Sequence, residues 1–366
     1  MLSGGVVWHR AAQIRLQAGA PLDSCAHARA LLDRYTAAVQ REPIRGADGA
    51  PLIIDCFAAR PPAQAVLLLS PGAGESPLRY IELLDDLRRA HPHWAFCLVN
   101  HRGQGFSPRL LGSVRDWAQV ADDAALARWR TLYVEHFDDY VSDFAICAGH
   151  ARTLAPGRPL FVLAHSMGAT IALRWLQEAP AAAEAAVLNA PMLDIRGPGG
   201  VPLRFNPPAR ALVHWAARRR PAAWALGQRP FQPAVFRDEQ GRLNGLTASE
   251  ARLRLRGAVQ QAFPMALTGP ASWRWVDEAL AAGQRLRRGP RLGATPLLLI
   301  VPGIDHLVSQ GAARAFARRQ QQAGVACRLL ELPQARHEVF NECDEYRDRA
   351  LDALDMHLCQ VLAERC

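Results

Sequence analysis

At 366 residues, half of them hydrophobic and 21% charged, the chain is globular rather than disordered. It is long enough for one large α/β domain with an insertion, or for two domains. The formal net charge is +9 and every one of the 43 basic residues is Arg. Exclusive use of Arg fits codon usage in a GC-rich genome, but the charge still favours anionic surfaces. No nucleic-acid motif is present, so the expected surface is membrane lipid.

In chain order, Met1 to Leu22 lacks the apolar core and cleavage site of a signal peptide and is left as an extension. No apolar run approaches the ~20 residues of a spanning helix. Ser24 to Gln40 reads as a helix. Pro43 to Arg45 and Leu52 to Phe57 read as a hairpin turning at Gly46 to Gly49. Gln64 to Leu69 is a buried strand, followed by Ser70-Pro-Gly-Ala-Gly-Glu-Ser-Pro77 and a helix from Leu78 to Ala90. Trp94 to Asn100 is the next strand, and His101 to Ser107 its loop. Phe137 to Leu154 is helical, Leu160 to Ala164 a strand, Ala169 to Leu176 a helix, and Ala185 to Asn189 a strand. Thr295 to Val301 and Cys327 to Glu331 are the last strands, with a helix at Ser309 to Ala323 between them and another at Glu345 to Ala363. This alternation predicts an α/β fold, a mostly parallel central sheet with helices on both faces. Between Met192 and Gly293 it stops, in a stretch rich in Arg, Trp and Pro that reads as short helices. The expected division is 1–40 for the extension and first helix, 41–192 and 294–366 for the core, and 193–293 for a helical cap after the sixth strand.

The eight cysteines are scattered without a C-x-x-C pair, which argues against zinc. Cys56 and Cys97 fall in predicted strands as small core residues. These features point to a reducing cytoplasm.

Chemistry concentrates at Ala164-His-Ser-Met-Gly168. Four residues between a strand and a helix allow only a sharp turn, with the Ser166 hydroxyl at its tip and small residues at 164 and 168. That is a nucleophile elbow, G-x-S-x-G with Ala for the first Gly. The Met167 N–H would face the oxyanion formed when Ser166 attacks an ester. Serine needs a base, and the base a carboxylate, expected in the order Ser, acid, His on loops after late strands. His337 follows the last predicted strand and Asp305 the one before it. Asp194, after the strand ending at Asn189, is the second candidate acid; His306, beside the acid, is a poor base. Gly72-Ala73-Gly74 follows the strand ending at Leu69, where glycines let backbone approach a substrate oxygen, so the Ala73 N–H is the second oxyanion donor expected. A dinucleotide reading of this loop fails because Pro77 stands where a third glycine is needed, and Gly103-Gln-Gly105 fails likewise at Pro108. His337-Glu-Val-Phe-Asn341 lacks the second His of a zinc-protease helix.

With these residues placed, Pro51 to Leu358 resembles the monoacylglycerol lipase and lysophospholipase branch of the α/β-hydrolases. The landmarks are Ser70-Pro-Gly-Ala-Gly-Glu-Ser, Asn100-His-Arg-Gly-Gln-Gly-Phe-Ser, Ala164-His-Ser-Met-Gly, Ala190-Pro-Met and Gly303-Ile-Asp-His-Leu-Val. Gly269-Pro-Ala-Ser-Trp-Arg-Trp-Val-Asp-Glu-Ala-Leu-Ala-Ala-Gly resembles the end of the cap in bacterial inner-membrane-associated lysophospholipases. Monoacylglycerol lipases typically have His-Gly where Pro71-Gly72 stands, a second His at Ser76, and Gly at Ala164. Pro71 and Ala164 are closer to the bacterial lysophospholipase pattern. The resemblance implies an α/β-hydrolase fold, a Ser166–Asp305–His337 triad, an Ala73 and Met167 oxyanion hole, and no metal or cofactor. It implies fatty-acid release from a lysophospholipid, with a monoacylglycerol or another ester as the alternative. It also implies a cytoplasmic enzyme, peripheral on the inner membrane at most.

Pro208 to Arg220, then Trp224, mixes aromatic and basic residues: either it lies on an anionic membrane, or it packs on the core with its Arg cluster solvated. The packed arrangement is the expectation. A non-catalytic receptor of this fold would usually have lost a triad member, and a peptidase of the proline-iminopeptidase kind would need a device for a substrate α-amino group. Acyl transfer would share the same acyl-enzyme. No motif speaks to oligomeric state.

Overall fold

Four apolar runs, Ala65–Ser70 (β3), Trp94–Asn100 (β4), Leu160–His165 (β5) and Ala185–Asn189 (β6), are buried at every position. Continuous burial is what a parallel strand covered on both faces requires. A computed structural model describes residues 7–112, 123–229, 236–237, 240–241, 243–290 and 292–365. In it these runs join Gln40–Arg45 (β1), Pro51–Phe57 (β2), Leu297–Ile304 (β7) and Cys327–Arg336 (β8) in one eight-stranded sheet, ordered β1-β2-β4-β3-β5-β6-β7-β8. The β1–β2 and β2–β4 pairings are antiparallel and the other five are parallel. The strand order reverses around β3, so the loops after β3 and β5 leave the sheet side by side, where α/β ligand sites form.

Helices cover both faces. One apolar layer joins the sheet to Phe137–Arg152 (α4), Met167–Glu178 (α5), Trp273–Arg288 (α8) and Gln310–Gln322 (α9). The other joins it to Ala26–Ala38 (α1), Ile81–Ala90 (α2), Glu250–Ala262 (α7) and Asp344–Ala363 (α10). Cys56 and Cys97 are buried, opposed core residues of β2 and β4. Outside the insertion, expected as short helices, two elements of the core differ from expectation. A helix at Asp123–Arg130 (α3) is too short and weakly periodic to read from sequence. Strand β8 runs on to Arg336, because its exposed edge carries polar residues that break the apolar run.

The insertion after β6 holds three full-length helices: Pro207–Arg219 (α6), α7 and α8. Helix α8 sits in the core layer with α4 and α5, and α6 packs on α8 through Val213, Ala216 and Ala217. Helix α7 is held on the opposite face by the N-terminal extension. Trp8, Ile14, Leu16 and Leu22 are buried in the same layer as Leu255, Ala258 and Val259. Trp8 Nε1 donates to Asp352 on α10 at 2.8 Å, while Arg252 and Arg254 of α7 donate to the carbonyls of His9 and Leu16. Met1 to Val6 and Cys366 lie outside the described residues.

Candidate active site

Ser166 caps α5 with φ 52° and ψ −114°, a strained conformation for a side-chain-bearing residue. The turn is held from three sides. Ser166 N donates to the Asn189 carbonyl at 2.9 Å, and the Ser166 carbonyl accepts from Met192 and Ala169 at 3.1 Å each. A Cβ at Gly168 would stand 2.2 Å from the Ser70 carbonyl oxygen and 2.5 Å from that of Pro71. Only glycine there lets α5 start against the end of β3. Ala164, fully buried and in register with Ser70, fills the other side.

The adjacent parallel strands β7 and β8 end in Asp305 and His337. His337 Nδ1 lies 2.7 Å from Asp305 Oδ2, with both residues buried. Asp305 Oδ1 accepts the N–H groups of Leu307 at 2.8 Å and Val308 at 3.0 Å, which fixes the carboxylate plane. Burial works against its charge, but His337 and the two backbone donors outweigh that and hold it below the usual carboxylate range. The His337 ring lies against that of His165, the neighbour of Ser166, with centroids 4.7 Å apart and planes tilted by 57°. Asp194, the other candidate acid, is paired instead with Arg204 at 3.0 Å. His306 points to solvent.

The loop after β3 spends its N–H groups in a telling way. Gly72 N donates to Glu75 Oε2 at 2.7 Å, Gly74 N to Gln104 Oε1 at 2.8 Å, and Glu75 N to the Gly72 carbonyl at 3.3 Å. Ala73 alone among residues 72–75 has no such partner. Met167, at the start of α5, makes no turn or cap bond either. A Cβ at Gly72 would stand 3.0 Å from both Glu75 Oε2 and His165 Cδ2, a tight approach that these side chains would have to yield to. Glu75 also takes the Tyr80 hydroxyl at 2.5 Å. Burial would raise its pKa, but His165, Arg79 and these donors hold it low. Burial pushes His165 down to about 4 and His101, bonded to Ser70 Oγ at 3.0 Å, down to about 3, so both stay neutral at pH 7. Gln104 and Glu75 were assigned no role from sequence. Their only signal is that each lies in a landmark run, between or just after glycines.

Beside Gly74 a small cavity of about 50 Å³ lies under α7. Leu78, Leu255, Val259, Phe263 and Leu267 form its apolar side, and Glu75, Arg79 and Arg256 its polar side. One group among the described residues could hold a metal: His91, Asp355 and Cys359, with ligand atoms within 4.8 Å of one another. None of the three is a predicted site residue.

Residues 61–344 match the family described as serine aminopeptidase, S33. Lysophospholipase L2 of Escherichia coli (strain K12) is 31% identical over 296 residues, covering 79% of this chain and 78% of that protein. The chain belongs to this family of α/β-hydrolases. A probable lysophospholipase L2 of Haemophilus influenzae is 24% identical over 296 residues, 80% of this chain and 83% of that one. In fold, this α/β-hydrolase is similar to a soluble variant of monoglyceride lipase from Saccharomyces cerevisiae, with TM-score 0.62, 17% identity, and 90% and 96% of the two chains covered. Paleococcus ferrophilus monoacylglycerol lipase follows at TM-score 0.58, 15% identity, and 85% and 98% covered. The expected fold is thus observed, and the protein is an enzyme, a carboxylic-ester hydrolase. No helix among the described residues is long and apolar enough to cross a membrane.

Proposed function

We propose that this hydrolase releases a fatty acid from a lysophospholipid through an acyl-enzyme on Ser166. The observation that carries the reading is the buried His337–Asp305 pair beside a strained serine elbow. His337 takes the Ser166 proton as the hydroxyl attacks the acyl carbonyl, and Asp305 orients the ring and stabilises its cationic form. The N–H groups of Ala73 and Met167 hold the oxyanion; one such donor is worth about 3 kcal/mol. His337 then protonates the departing glycerophospho-alcohol. Water, deprotonated by the same His, attacks the acyl-enzyme, and the fatty acid leaves with Ser166 regenerated.

We treat 193–293 as the cap over the core segments 41–192 and 294–366. A lysophospholipid is favoured over a monoacylglycerol by the 31% identity to lysophospholipase L2 and by Pro71 and Ala164 in the landmark motifs. On this reading the enzyme works in the cytoplasm at the membrane face. The test of the nucleophile is labelling with a fluorophosphonate, followed by peptide mass spectrometry. The adduct is expected on Ser166 and absent in Ser166→Ala; an adduct on another serine overturns the assignment.

A further inference from the structure

The chain's charge is not spread evenly. From Ile195 to Arg237 there are eight arginines and no Asp or Glu, almost the whole net charge of +9. The same stretch exposes large apolar side chains: Val201, Phe205, Leu212, Trp215 and Leu226 are 44%, 66%, 45%, 59% and 75% exposed. On α6 the two properties share one stripe. Pro208, Leu212, Trp215 and Arg219 follow one another at helical spacing on the face away from α8, flanked by exposed Ala211 and Arg218. Arg210, Arg218, Arg219 and Arg220 make no ion pair with another described residue. The groove between α6 and α8, about 870 Å³, adds Arg204 and Arg288, with Asp277 and Glu278 as its acids.

We propose that the outer face of α6 is a docking surface for an anionic phospholipid bilayer. Arginines without acidic partners attract the headgroup layer, and Trp215, Leu212 and Phe205 enter it; basic and aromatic residues on one helix face suit that boundary. Charge complementarity favours a bilayer over a second copy of the chain, since a two-fold contact here would oppose two acid-free, Arg-rich faces. The segment is tied to the site. Ile195 bridges to Val308, and Arg196 N donates to the Leu307 carbonyl at 2.9 Å, in the turn whose N–H groups hold Asp305. Docking through α6 therefore sets the candidate site beside the headgroup layer.

The test is co-sedimentation of the full chain with vesicles of phosphatidylcholine alone and of phosphatidylcholine with phosphatidylglycerol, at low and high salt. It needs no turnover, so it stands or falls separately from the role given to Ser166. Binding is expected only to the anionic vesicles, weakened by salt. It should fall about tenfold or more when Arg218, Arg219 and Arg220 are together changed to Glu, and also in Trp215→Ser. Hydrolysis of a short, water-soluble ester should be unchanged in both. Failure of the wild type to bind anionic vesicles, or binding untouched by both variants, overturns the proposal. So does a dimer that Trp215→Ser splits while vesicle binding persists, which would assign the face to a second copy.

Discussion

Gln104 grips Gly74 and, through it, the whole loop around Ala73. Its Oε1 accepts the Gly74 N–H at 2.8 Å and its Nε2 donates to the Gly72 carbonyl at 3.2 Å. These bonds straddle Ala73 and leave its N–H as the donor not committed within residues 72–75. Gln104→Ala should keep the fold but lower kcat about 10- to 100-fold, less than loss of a whole oxyanion donor, with a smaller change in KM. Steady-state kinetics on a soluble ester check this. A rise in KM with kcat unchanged would mean that Gln104 serves binding and not the oxyanion.

Asp305→Asn retains the shape of the acid turn but removes the charge that orients His337 and stabilises its cation. kcat at neutral pH should fall about three to four orders of magnitude. Asp194→Asn removes the attraction to Arg287 and Arg204, away from His337, and should leave kcat within a few-fold. A large loss of kcat in Asp194→Asn with Asp305→Asn near normal would reverse the two roles.

Stability should fall on mild acidification. His165 and His101 are held neutral, at about 4 and about 3, by burial, against about 6.5 when unfolded. Between those limits the unfolded chain binds more protons, so stability rises with pH from about 4 to 6.5 and is lost on the way down. Asp305, held low by His337 and backbone donors, adds a further loss only below the carboxylate range near 4. The urea midpoint should drop measurably from pH 7 to pH 5. An unchanged midpoint would mean that neither histidine is held neutral.

The N-terminal extension should behave as part of the core. Trp8 is 3% exposed and bonds Asp352 on α10, so Trp8→Ala should cost about 3–5 kcal/mol. Loss of protection of α7 amides in hydrogen exchange would accompany it, because the extension also ties Arg252 and Arg254. Native-like protection of α7 in this variant would show that the helix is held by other contacts.

Most of the fold was legible because its central strands are continuous apolar runs, and Trp94–Asn100 and Ala185–Asn189 coincide with their sequence bounds. The placement of Ser166, Asp305 and His337 was legible because each follows a strand end that hydrophobic patterning locates. What was hidden depends on contacts between distant segments. Gln104 acts on a loop 30 residues away, and Trp8 meets Asp352 across 344 residues. No local pattern records such pairings. The insertion read as short helices because its Pro and Arg residues interrupt the apolar pattern. Yet caps at Asn206, Ser249 and Ser272 start three full helices there, each accepting a backbone N–H.

The decisive experiment is fatty-acid release from lysophosphatidylcholine and from monoacylglycerol side by side, with Ser166→Ala as the blank. Release is expected from the lysophospholipid at the higher kcat/KM, and none from the variant. Release from the lysophospholipid by Ser166→Ala at near the wild-type rate, or a clear preference for monoacylglycerol, would contradict the proposed function.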